Sequence, residues 1–210
     1  EDQLLTVNGQ GKLVLWRMEG KQAQAVYQLD GDHGTVPSLS PGRAQLAMST
    51  PRGVEIYRAT DGELLARMGE LRPAYGRVAF NAAGDRLACV SGKQVCVWNS
   101  TTGKLEKDFD CGSLANNGDV AWLGNDHLLV GGSDVIDLQR RLILWHYEMP
   151  MRQLHQYFAG REWILMDSNN VSGLVPAQLL GKEELAMAQS INADEILAVK
   201  PGAKVSLEVN

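Results

Sequence analysis

The chain predicts an all-β fold, a β-propeller of four-stranded antiparallel blades, on three observations. First, a short apolar strand ends on a large aromatic residue four times: Leu13-Val14-Leu15-Trp16, Val54-Glu55-Ile56-Tyr57, Val95-Cys96-Val97-Trp98 and Leu142-Ile143-Leu144-Trp145. Second, Trp16, Tyr57, Trp98 and Trp145 stand 41, 41 and 47 residues apart. That is close to the roughly 40–45-residue period of a propeller blade. Third, 22 glycines in 210 residues supply the tight turns such a fold needs.

The third repeat shows the scheme most clearly. Arg77-Val78-Ala79-Phe80 reads as an inner strand, followed by the turn Asn81 to Asp85. Arg86 to Val90 and Gln94 to Trp98 follow, apolar on both faces as strands stacked between neighbouring sheets should be. Thr102-Gly103 then turns into Lys104 to Phe109, which alternates like an exposed edge. The second repeat runs Val36 to Ser40, Ala44 to Ser49, Val54 to Tyr57 and Glu63 to Met68. The first supplies three strands, Leu4 to Val7, Leu13 to Trp16 and Ala25 to Leu29, with no inner strand before them. The fourth is expected as Asp119 to Trp122, His127 to Val130, Arg141 to Trp145 and Gln153 to Phe158. Its six extra residues fall in Gly131–Arg140, which reads as a long rim loop. A fifth, degenerate unit begins with Trp163 to Met166 and Val171 to Leu179. It continues with a short helix over Gly181 to Ile191 and a hairpin over Ile196 to Val209. The expected division is propeller blades over 1–178 and a closing blade or separate module over 179–210.

An inner strand, a turn, a second strand and a third strand ending on Trp together resemble the WD-repeat family of β-propellers, over about residues 3–160. The Asp that follows Trp in that family is Arg17, Arg58, Asn99 and His146 here, and Gly31-Asp32-His33 is the nearest approach to its Gly-His pair. The divergent pattern looks like the degenerate WD-type propellers of bacterial multidomain proteins. Rings of the family usually hold seven or eight blades. The resemblance therefore implies that four to five units are part of a larger ring and that the chain is a piece of a longer polypeptide. It also implies a non-catalytic scaffold that presents its face loops to a protein or peptide partner. The alternative is a sensor that binds a small molecule or carbohydrate in the central channel.

Composition narrows the functions further. A formal charge of −5 and a pI near 5.4 argue against nucleic acid, whose phosphates need clustered Lys and Arg. No run of 18 apolar residues predicts a membrane-spanning helix. The compartment stays open, with the cytoplasm favoured. His33, His127, His146 and His155 lack metal-ligand spacing, and no Cys-x-x-Cys, nucleophile elbow or P-loop occurs. Neither catalytic residues nor a cofactor is expected. A two-residue turn at Gly92-Lys93 would set Cys89 opposite Cys96, either as two buried thiols or as a cross-strand disulfide. Trp122 and Trp163 fall in inner strands, as core residues or as lining of a channel. The expected partner contact is the rim loop, with Asp134, Ile136, Asp137, Leu138, Arg140 and Arg141 mixing apolar and charged groups. Blade edges left open would favour self-association.

Overall fold

The computed structural model describes residues 2–31, 35–50, 52–68, 77–111, 120–131, 134–146, 155–158, 163–168 and 171–176. The chain divides into two compact units, 1–177 and 178–210, and the second lies outside the described residues. The helix expected over 181–191 and the hairpin over 196–209 therefore lie outside them too.

The first unit is a succession of antiparallel sheets. The first blade orders β1 (Asp2–Val7), β2 (Lys12–Glu19) and β3 (Gln22–Asp30). The second orders β4 (Ser38–Leu39), β5 (Gln45–Thr50), β6 (Gly53–Arg58) and β7 (Leu64–Met68). The third orders β8 (Arg77–Phe80), β9 (Arg86–Ser91), β10 (Gln94–Asn99) and β11 (Leu105–Asp110). The fourth orders β12 (Val120–Leu123), β13 (His127–Val130), β14 (Asp134–Asp137) and β15 (Leu142–His146). A three-stranded sheet follows, of β16 (His155–Phe158), β17 (Trp163–Ser168) and β18 (Val171–Pro176). The all-β propeller architecture is the one the repeat predicts.

Among the described residues two cores hold the blades together. Ala47, Val54, Ile56 and Met68 of the second blade meet Val78, Leu87, Cys89, Cys96 and Trp98 of the third. On the other face of the third blade, Ala88, Val90, Val95 and Val97 meet Val120, Trp122, Leu128, Val130 and Ile136 of the fourth. Strands β9 and β10 are therefore covered on both sides, which is why both faces of their sequence are apolar. Trp122 belongs to this core, and its indole N–H donates to the Ala79 carbonyl across the blade junction (2.8 Å).

The registers correct the reading of the fourth repeat. In each of the first four sheets one bulge interrupts the pairing of the last two strands, between Leu15 and Trp16, Ile56 and Tyr57, Val97 and Trp98, and Val135 and Ile136. Ile136, not Trp145, thus fills the aromatic slot of Trp16, Tyr57 and Trp98. The true spacings are 41, 41 and 38 residues. Asp134–Asp137 is the third strand rather than a rim loop. Asp134, Ile136, Asp137 and Leu138 are buried, and only Arg140 and Arg141 of the expected contact residues stay exposed. Trp145 lies on the outer strand β15 and is 40% exposed. The segment expected as that outer strand, Gln153 to Phe158, contributes β16, which pairs with β17 instead.

The fourth repeat is shorter because its second hairpin is tighter. Ten residues separate Leu46 from Tyr57 and Leu87 from Trp98, whereas seven separate Leu128 from Ile136. Cys89 and Cys96 do pair in register, and both thiols are free. Burial first, with the charge of Asp108 acting on Cys96, pushes each up to about 12. They are inert apolar groups rather than nucleophiles.

Candidate functional site

The turns at one end of the second, third and fourth blades are built alike and laced together. Ser40 and Asn81 begin the first-to-second-strand turns of blades two and three. Each receives a hydrogen bond on its side chain from the backbone N–H five residues on, Gln45 at 3.0 Å and Arg86 at 3.1 Å. At the third-to-fourth-strand turns, Asn99 Oδ1 accepts from the N–H groups of Thr101 and Thr102, and Asp137 Oδ1 accepts from those of Gln139 and Arg140. The two turns of each blade are then tied by one backbone bond: Ala59 N–H to Ala44, Ser100 N–H to Asp85, and Leu138 N–H to Asp126. Short polar side chains that accept from nearby backbone N–H groups are what fix such turns without regular pairing.

Asp137 shows the electrostatics of this end. Burial raises its carboxyl, but the Arg140 and Gln139 backbone bonds, the Arg140 guanidinium at 2.6 Å and the nearby His127 outweigh that and hold it below the ordinary range. Asp134 is engaged with His146 Nδ1 at 2.6 Å. Both acids that the sequence offered as loop carboxylates are thus committed to internal pairs on β14.

A second buried carboxylate lies in the middle of the second blade. Glu55 is fully buried on β6. Burial pushes its carboxyl up, yet the Tyr57 hydroxyl (2.5 Å), the Arg67 guanidinium (2.8 Å) and Arg52 (3.3 Å) bring it below the ordinary value. The Tyr57 hydroxyl is correspondingly raised, by burial and by donating to Glu55. In this cluster the carboxylate and the phenol are buried and the two guanidinium groups reach solvent. Among the described residues no three His, Cys, Asp or Glu side chains stand close enough to hold a metal ion.

Among the described residues an open cleft of about 240 Å³ lies between the first and second blades. Leu5 and Leu15 line it from the first blade, with Gln3 at the edge of β1. Tyr27 of β3 forms a wall. Its hydroxyl donates to the Ala59 carbonyl at 3.0 Å, and its ring lies where any side chain at Gly62 would stand. From the second blade come Leu39 of β4 and, from the laced turns, Arg43, Ala59 and Thr60. Sequence reading placed its expected contact on the fourth blade and missed this cleft. The signal was present in Arg43, which stands four residues after Leu39 as Gly84 stands four after Phe80.

The chain superposes on U3-55K with a TM-score of 0.63 at 13% sequence identity, over 83% of this chain and 57% of that one. The fold is a WD40-like β-propeller. The chain spans a little over half the length of this structural neighbour. No protein-family model matches it, and no curated protein matches it in sequence.

Proposed function

We propose that the chain is a non-catalytic interaction scaffold that holds a protein or peptide partner against the turn-bearing ends of its blades. One observation carries this reading: the lacing of paired turns in three consecutive blades, each with the same backbone tie. A surface fixed before binding loses little conformational freedom when a partner arrives, and rigid scaffolds place function on such turns. The likeness to a WD40-like propeller agrees with it at the level of fold, which by itself does not fix function.

The test is affinity purification from the native source followed by quantitative mass spectrometry. The wild-type chain is compared with a Thr60→Lys/Thr101→Lys double variant, which changes two exposed turn positions of the laced end. A partner retained near equimolar by the wild type and lost by the variant supports the reading. Equal retention by both, or none over repeated trials, overturns it.

A further inference from the structure

Registers place Leu39, Phe80 and Trp122 at one repeat position. Each sits on the first strand of its blade opposite a fully buried leucine, Leu46, Leu87 or Leu128. Each of those leucines in turn pairs with the slot of Tyr57, Trp98 or Ile136. In the third and fourth blades the position is aromatic and packs into the preceding blade, Phe80 into one core and Trp122 into the other. In the second blade it is Leu39, which remains 44% exposed, and the cleft lies beside it. The cleft therefore lies beside the position from which an aromatic ring packs into the preceding blade at the other two junctions. At about 240 Å³ it is smaller than the pockets of roughly 300–1,000 Å³ that enclose drug-sized ligands. It suits one inserted side chain.

Arg43 adds charge to the same cleft. It is the one ionised residue in the lining. Among the described residues its guanidinium makes neither a hydrogen bond nor an ion pair. Its backbone is left-handed (φ 55), where the corresponding turn of the third blade carries Gly84 (φ 77). A non-glycine residue in that region is strained, and such strain accompanies ligand clamps when the surrounding structure enforces it. Here the laced turn enforces it, through the Arg43 N–H bond to Ser40 at 2.8 Å and the Ser40 cap of Gln45.

We propose that this cleft is a docking pocket for a peptide segment of a partner protein. The peptide inserts one bulky apolar side chain, best an aromatic ring, between Leu39 and Tyr27, and pairs a neighbouring carboxylate with Arg43. Charge complementarity selects an acidic segment, because the lining holds a cation and no anion. The proposal rests on the scaffold reading above and adds the pocket and the chemistry of the partner.

The experiment is a phage library of random dodecapeptides selected on the intact chain, with enriched peptides measured by fluorescence polarisation. The expected result is a consensus that sets Phe, Trp, Tyr or Leu beside Asp or Glu. Binding should fall tenfold or more in Leu39→Trp, which fills the slot as Trp122 does, and in Arg43→Gly, which removes the cation. Both variants copy residues found at the sister positions, so neither should unfold the chain. Arg43→Gly should raise the melting temperature by roughly 2 °C. No enrichment, a consensus without an acidic residue, or affinity unchanged by Leu39→Trp would overturn the pocket. Retention of the native partner by Leu39→Trp alongside its loss from the Thr60→Lys/Thr101→Lys variant would sink this pocket and leave the scaffold reading standing.

Discussion

Two arginines, Arg43 (φ 55) and Arg141 (φ 61), hold backbone conformations that their sister repeats give to Gly84, and to Gly62 and Gly103. Left-handed strain costs a non-glycine residue about 1–2 kcal/mol. The added freedom of glycine in the unfolded chain takes back about 0.4–1 kcal/mol. Arg43→Gly and Arg141→Gly should therefore each stabilise by about 0.5–1 kcal/mol, read from denaturant midpoints with unchanged slope. A loss of stability in either would mean that the arginine side chain contributes packing that its strain conceals. Glu55 makes a prediction of opposite sign. Its carboxyl is held below the ordinary 4.5 by Tyr57, Arg67 and Arg52 against the effect of burial. Such a depressed group contributes stability that is fully present above the unfolded value and lost as pH falls through the folded value. Asp137 acts in the same direction from its ordinary 3.8. The chain should thus weaken below about pH 4.5, and Glu55→Gln should flatten that acid limb while costing about 1–3 kcal/mol at neutral pH. The cost stays below that of a fully buried pair because Arg52 and Arg67 remain 65% and 45% exposed and can rehydrate. An acid limb with the same slope in both proteins would count against this role.

At the scale of the element, the slot position decides how much an aromatic matters. Trp98 is 2% exposed and sits in a blade-to-blade core, whereas Trp145 is 40% exposed on an outer strand. Trp98→Ala should cost about 3–5 kcal/mol and Trp145→Ala about 1 kcal/mol or less, measured by chemical denaturation. Comparable costs would return Trp145 to the repeat slot. The same contrast shows how far the sequence could be read. Strands of the second and third blades follow from apolar runs bounded by turn residues, because burial on both faces leaves a continuous hydrophobic record. The fourth blade departs from the repeat because its slot holds Ile136, its second hairpin is three residues shorter, and a chance Trp145 lies in the next strand. The spacing that would have corrected it runs from Ile136 to Arg141, equal to Tyr57–Gly62 and Trp98–Gly103. The cleft was less accessible still. It arises from Leu39 standing where two other blades place rings, and that comparison needs the registers across three sheets.

Across the molecule as a whole the first blade is less buried than the second and third. In the matching strands two residues of β2 are buried, against five of β6 and four of β10. Two apolar cores flank β9 and β10. The first blade instead meets the second through Tyr27, around an open cleft. In a stack of repeats each unit draws stability from its own contacts and from those with its neighbours, so a unit with one well-packed neighbour opens before a unit with two. Among matching strands, amide hydrogen exchange should therefore be slowest in β9 and β10 and fastest in β2, with the hairpin of β5 and β6 between them. Arg43→Gly should slow exchange in the second blade and leave β9 and β10 unchanged, since it relieves strain only in its own turn. Equal protection of β2 and β10 would show instead that the blades open as one unit. The junction of the first and second blades would then be as tightly coupled as the other two, and a partner entering the cleft would have to displace packing rather than complete it.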